Sequence, residues 1–174
     1  SSGVAGMFIN GVFLHSFLNG KSYQNSGKWN EDSVFTEKSL LDDCGGGVQA
    51  DVNVENVGSY NYKALPVCLH SVDTGAHSPL LGFARDGYPI YGPVAYSGAA
   101  DSSGPLKILQ PSYKLKQTSS RVEGPNFDAT YVSGYYSEDY EYAAGLGDLD
   151  EPNGRTGITP EYPNGTYAYF PTVN

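Results

Sequence analysis

Apolar and polar positions alternate in this chain over short stretches, and turn residues interrupt them before any long period builds up. The densest apolar run comes first, Val4-Ala5-Gly6-Met7-Phe8-Ile9 followed by Val12-Phe13-Leu14, with Asn10-Gly11 between the two parts. Asn-Gly flanked by strand-favouring residues is a hairpin signal, and one long bulged strand is the alternative. Ser33-Val34-Phe35-Thr36 reads as a further strand. Asp42 to Gly47 reads as a tight loop, because Gly45, Gly46 and Gly47 in succession support no regular element. From Val48 to Val57 the apolar residues fall at every second position, the period of a half-buried strand, and Tyr60-Asn61-Tyr62 is its expected hairpin partner. Pro79, Pro89, Pro93, Pro105 and Pro111 exclude a long helix from the middle and leave room for short strands at Leu80 to Ala84 and Ile90-Tyr91. Ser112 to Gln117 alternates again, Ser137 to Ala144 suits one or two helical turns, and Tyr167-Ala168-Tyr169-Phe170 is a closing strand. No internal repeat is visible. The pattern predicts an all-β, β-sandwich-like single domain over residues 1–174, with long Gly/Pro loops and little helix.

Composition sharpens this picture. The 174 residues include 22 Gly, 15 Tyr and 11 Pro, a supply suited to tyrosine-rich strands joined by turns. Ten Lys and Arg against 19 Asp and Glu give a formal charge of −9, which argues against nucleic acid or anionic lipid as a partner and allows cation binding. No apolar run approaches the roughly 20 residues of a membrane helix. The chain begins at Ser1 with no basic segment or apolar signal core, as expected of a mature secreted product. Cys44 and Cys68 are read as a disulfide, because the composition looks secreted and two thiols cannot saturate a zinc site; two unrelated buried thiols are the alternative.

The stretch Leu81-Gly82-Phe83-Ala84-Arg85-Asp86-Gly87-Tyr88-Pro89-Ile90-Tyr91-Gly92-Pro93 resembles the core signature of the YHYH domain family, extracellular and viral structural-type modules of largely unassigned function. The likeness extends through Asn10-Gly11-Val12, Trp29 to Val34, Asp42-Asp43-Cys44-Gly45-Gly46, Tyr60 to Cys68, His77 to Gly82, Asp148 to Arg155 and Gly165 to Tyr169. Asn61 and Lys63 stand where the family motif carries histidines, and Gly47 where a histidine commonly ends the cysteine loop. Pro152 occupies a position where many relatives carry a cysteine. If related modules hold a metal through those histidines, the resemblance implies that this chain does not, since amide, ammonium and glycine are poor replacements for imidazole.

Little catalytic chemistry is legible. His15, His70 and His77 are far apart in sequence, and scattered surface histidines explain them more simply than a catalytic or zinc trio. No nucleophile elbow, phosphate loop or dinucleotide fingerprint occurs. Asp86 is expected to accept backbone amides or pair with Arg85 in its turn, rather than to act as an acid or base with Asp150 or Glu151. Asp148, Asp150, Glu151 and Asn153 form a weak calcium candidate, outweighed by a solvated acidic turn. Asn164-Gly165-Thr166 is a formal glycosylation acceptor. No other cofactor is expected.

The apolar N-terminal run raises the functional question. A segment over residues 1–18 at a free end could serve as a donor strand, adding to a neighbouring copy through Val4, Met7, Phe8, Ile9, Val12, Phe13 and Leu14, and head-to-tail addition would propagate into a filament. A first strand in the domain's own sheet is at least as good a reading. The expectation is a secreted, non-enzymatic assembly protein, extracellular or at a cell or virion surface, whose partner is itself. The alternatives are an extracellular metal-binding or hydrolytic module working through Asp86, His77 and the Asp148 to Asn153 loop, and a carbohydrate-binding module using tyrosine platforms.

Overall fold

A computed structural model describes residues 3–48, 59–70 and 72–172. Fourteen short strands lie among the described residues: β1 Val4–Phe8, β2 Phe13–His15, β3 Leu18–Ser22, β4 Asn30–Asp32, β5 Gly46–Val48, β6 Tyr60–Tyr62, β7 Leu80–Ala84, β8 Pro89–Tyr91, β9 Val94–Tyr96, β10 Leu106–Ile108, β11 Tyr113–Leu115, β12 Tyr140–Tyr142, β13 Gly154–Gly157 and β14 Thr166–Tyr169. Eight of them form one mixed sheet in the order β13-β14-β8-β7-β1-β2-β6-β5, and the others pair as the ribbons β9-β10, β11-β12 and β3-β4. The all-β expectation holds.

The Asn10-Gly11 hairpin forms as the sequence predicts. Gly11 takes φ 80°, and the Asn10 side chain accepts from the Val12 amide at 3.1 Å. Tyr60–Tyr62 pairs antiparallel with Gly46–Val48, Val48 lying opposite Tyr60, while residues 49–57 of the expected strand lie outside the described residues. Two local readings are corrected. Ser33–Thr36 is a short α-helix, because the Asp32 carboxylate accepts from the Val34 and Phe35 amides and caps its start. Gly46 and Gly47 belong to β5, not to a loop. A Cβ on Gly46 would meet the Tyr60 hydroxyl at 2.2 Å, so the glycine is what lets the Tyr60 ring lie across its own sheet. Ser137 to Ala144 splits into one 3₁₀ turn, Ser137–Asp139, and the strand β12.

The largest correction concerns repetition. In the first hairpin Val4, Gly6 and Met7 face His15, Leu14 and Phe13; adding 76 to each number gives the pairs of the second hairpin, Leu80, Gly82 and Phe83 facing Tyr91, Ile90 and Pro89. The bulge between Val4 and Gly6 returns between Leu80 and Gly82. Leu18 opposite Asp32 becomes Val94 opposite Ile108 under the same offset. The Ser33 amide bonding to the Phe17 carbonyl becomes the Leu109 amide bonding to the Pro93 carbonyl. Further on, the loop Asp42–Gly46 returns as Asp150–Gly154, an offset of 150 − 42 = 108, and the parallel partners β2 and β6 return as β8 and β14. The chain is thus two copies of one supersecondary unit, related by a pseudo-two-fold axis that passes between Met7 and Phe83, the central facing pair of β1 and β7. The second copy carries 108 − 76 = 32 extra residues, within 110–149, and these hold β11 and β12.

The axis fixes the packing. Gly6 and Gly82 are equivalent, and a Cβ on either would strike the opposite strand's backbone, at 2.6 Å from the Phe83 carbonyl and 2.3 Å from the Met7 carbonyl. Two small residues thereby let β1 and β7 approach at the centre of the sheet. One core cluster, Phe8, Tyr62, Leu65, Leu81 and Ile90, covers this region, and a second gathers Tyr91, Ala95, Leu109, Leu149, Ala168 and Phe170. Cys44 and Cys68 form a disulfide that ties the loop before β5 to the chain after β6.

Candidate functional site

The side chains of β1, β2 and β7 that point away from the Phe8 cluster make an apolar row across the middle of the sheet. Met7 faces Phe13 on one side and Phe83 on the other. Their relative exposures are 50%, 42% and 42%, and Val4 and Ile9 extend the patch with 37% and 68%. The shallow depression over them contains one charged residue, Arg85, at its margin. Apolar side chains on a half-buried sheet normally alternate with polar ones on the solvent face, so this row is a departure from the expected pattern.

The residues expected to act in assembly therefore divide. Val4, Met7, Ile9 and Phe13 are on this exposed face. Phe8 is 1% exposed within the core, with Val12 and Leu14 half-buried against it. Both edges of β1 are hydrogen-bonded inside the chain, to β2 and to β7. Phe83, which completes the row, could not be found from the N-terminal pattern alone, because it is brought there by the pairing of two distant hairpins.

Each of the two repeated units places a tyrosine pair beside an acidic loop. Tyr60 Oη donates to Asp42 at 2.6 Å, and Asp42 also accepts from the Cys44 and Gly46 amides. Hydrogen bonding from Tyr60 and from those amides holds the Asp42 carboxyl below the ordinary carboxylate range. In the second unit Tyr167 Oη donates to Asp150 at 3.0 Å, with Gly154 N at 2.8 Å, and Tyr169 Oη donates to Asp86 at 2.5 Å. Burial and the Asp86 hydrogen bond push the Tyr169 hydroxyl up to about 12. Asp86 also accepts the Tyr88 amide at 3.2 Å, the turn role expected of it. It takes the Tyr169 hydroxyl in place of the Arg85 guanidinium.

The calcium candidates are spread over separate internal donors. Asp148 takes Lys107 at 2.5 Å and the Gln110 amide at 2.9 Å, and Asp150 takes Tyr167 and Gly154. Glu151 is exposed, and Asn153 keeps a buried Oδ1 with no partner. Among the described residues no group of three His, Cys, Asp or Glu converges. Asn164 is exposed in the turn before β14.

The histidines do not form a trio. His15 lies in a groove beside Lys63, and burial, then the Lys63 charge, lower its pKa. His70 and His77 both meet Ser78: His70 Nε2 is 3.1 Å from Ser78 Oγ, and His77 Nδ1 is 2.7 Å from the Ser78 carbonyl. His77 stands edge-on to Tyr91 at 5.2 Å and tilted against Tyr96 at 5.0 Å, and burial lowers its pKa. Of the three positions that depart from the motif, Gly47 and Asn61 face each other across β5 and β6. Asn61 is buried and donates to the Ser59 carbonyl, and Lys63 pairs with Glu37.

No helix among the described residues is long and apolar enough to cross a membrane, and the disulfide fits an oxidising, extracellular compartment. Among known proteins, no curated protein and no solved structure matches the chain. A family model described as YHYH protein matches residues 1–174, the whole chain. With its signature turn, its cysteine loop and its paired tyrosines all placed in one sheet, the chain belongs to the YHYH protein family.

Proposed function

We propose that this chain is a secreted, non-enzymatic structural module that associates with copies of itself through the exposed face of β1, β2 and β7. The observation that carries the reading is the row Phe13–Met7–Phe83, three large apolar side chains in register on adjacent strands and flanked by Val4 and Ile9. A second copy is the occupant best matched to it. The depression is free of acidic side chains on a molecule of net charge −9, so a self-contact here brings few like charges together. The pseudo-axis passes between Met7 and Phe83, so the two central side chains of the row are equivalent to each other, which suits a self-complementary contact.

The contact is proposed face to face, not edge to edge. Strand addition by residues 4–15 would require the hairpin to leave both of its partners, whereas stacking of faces requires no bond to break. A face used once closes as a dimer, and a filament needs a second surface. The metal-binding or hydrolytic alternative, through Asp86, His77 and the Asp148 to Asn153 loop, has less support, since Asp86 is engaged by the Tyr169 hydroxyl and the Tyr88 amide, and Asp148 and Asp150 by their own internal donors. Oxidative trapping tests the reading. Met7→Cys should cross-link to its own copy in another molecule, while Val122→Cys, 81% exposed in the extra segment, should not. Equal trapping of the two variants would overturn the proposed face.

A further inference from the structure

The pseudo-axis exposes a difference between the two units that neither would show alone. On the inner face of the sheet, Phe8 and Leu81 fill the core beside Tyr62 and are 1% exposed. Their equivalents under the 76-residue offset are Ala84 (8 + 76) and Ala5 (81 − 76). The reciprocal hydrogen bonds Ile9 N to Leu81 O and Arg85 N to Ala5 O, each 2.8 Å, confirm the equivalence. Where one side of the axis holds a benzyl and an isobutyl group, the other holds two methyls. An open groove of about 700 Å³ occupies that side, within the range of small-ligand sites.

The groove has an apolar floor that includes Leu14 and Ile90, and a polar rim from both units. Arg85 and Lys63 bring positive charge to it. Lys63 is paired with Glu37, and Asp86 is engaged by the Tyr169 hydroxyl, whereas Arg85 is exposed and forms no ion pair among the described residues. His15 stands at the same rim, its pKa lowered by burial, so it adds little positive charge at neutral pH. Asn153 also lines the groove, and its Oδ1 is buried with no hydrogen-bond partner. It stands where Gly45 stands in the first unit (153 − 108), as Pro152 stands for Cys44, so the bridge that closes the first unit over its core has no counterpart here.

We infer that this groove binds the carboxyl-terminal residue of a peptide ending in Phe or Leu. The side chain takes the volume that Phe8 and Leu81 take across the axis, the carboxylate meets Arg85, and a peptide N–H supplies the donor that Asn153 Oδ1 lacks. The floor of the site lies on the opposite side of the sheet from the Met7 row: none of Met7, Phe13 and Phe83 lines it, although Arg85 borders both depressions.

Titration by NMR with N-acetyl-L-phenylalanine and N-acetyl-L-leucine tests it. Both should bind saturably, and N-acetyl-L-phenylalaninamide, which lacks the charge, should bind roughly tenfold more weakly, as should the acid to Arg85→Gln. Free phenylalanine, whose ammonium lies near Arg85 and Lys63, should also bind more weakly. Ala84→Phe copies the first unit, and it should abolish binding with the melting temperature held or raised; Ala5→Leu does the same with a smaller side chain. The inference is overturned by the absence of saturable binding to the wild-type protein, by binding that survives both filling variants, or by equal binding of acid and amide.

Discussion

Arg121 and Asp139 show how single residues hold the 32 extra residues of the second unit in place. The guanidinium meets the carboxylate through two bonds of 2.7 Å, donates to the Tyr131 and Val132 carbonyls at 3.0 and 2.8 Å, and lies 4.1 Å from the Phe127 ring centre. Every donor is matched, which is the condition under which a buried ion pair is tolerated. Asp139→Ala should therefore cost about 3–5 kcal/mol in denaturant unfolding, because it strands a buried cation. Burial alone would raise the Asp139 pKa. The Arg121 hydrogen bonds and the Tyr136 and Gly134 amides outweigh it and hold the carboxyl below its ordinary value. A group with a depressed folded pKa contributes stability above its unfolded pKa, about 3.9, and that contribution is lost as pH falls through the lower folded value. A stability profile from pH 7 to pH 2 should thus show wild type losing its advantage over Asp139→Asn only below about pH 4. The glycine pair related by the pseudo-axis, Gly6 and Gly82, is the second residue-scale feature. Gly82→Ala places a Cβ on the Met7 carbonyl and should destabilise by roughly 1–3 kcal/mol, measured by thermal unfolding, whereas Gly145→Ala meets no neighbour within 4 Å and suffers only its φ of 78°.

At the scale of elements, the disulfide and the hairpins carry most of what can be read in advance. Closing the 24-residue separation between Cys44 and Cys68 should contribute about 3 kcal/mol, so reduction or Cys68→Ser should lower the free energy of unfolding, measured in denaturant, by that amount. The Asn10-Gly11 turn, the strands around Leu80 and Ile90, and the closing Tyr167-Ala168-Tyr169 were legible because turn residues and alternation act locally. Ser33–Thr36 was not, because its β-branched and aromatic residues favour a strand until the Asp32 carboxylate caps a helix. Gly46 and Gly47 read as loop because the reason for a glycine in β5, the Tyr60 ring over it, is a contact across the sheet. The repeat left traces in the chain, an Asn-Gly or Asp-Gly turn, an Asp loop ending in Gly, and Tyr-x-Tyr. The 32 extra residues shift the later blocks by 108 or 107 while the hairpins shift by 76, so no single period aligns them.

At the scale of the whole molecule, duplication about one axis accounts for the strand order, the glycine pair at the sheet centre and the apolar row that crosses it. It also separates the two faces by role: the outer face presents Phe13, Met7 and Phe83, and the inner face carries the Phe8 core on one side of the axis and the groove on the other. All of the exposed patch but Phe83 was legible from sequence, since Val4, Met7, Ile9 and Phe13 lie in the first apolar run. Phe83 joins them only through the β1–β7 register, a contact between residues 76 positions apart. Sedimentation velocity over a hundredfold range of concentration tests the assembly claim most directly. Wild type should shift from monomer to dimer or larger species, and Met7→Glu combined with Phe83→Gln should stay monomeric with an unchanged circular dichroism spectrum. Wild type that sediments as a monomer throughout, or a folded double variant that associates as wild type does, would contradict the account.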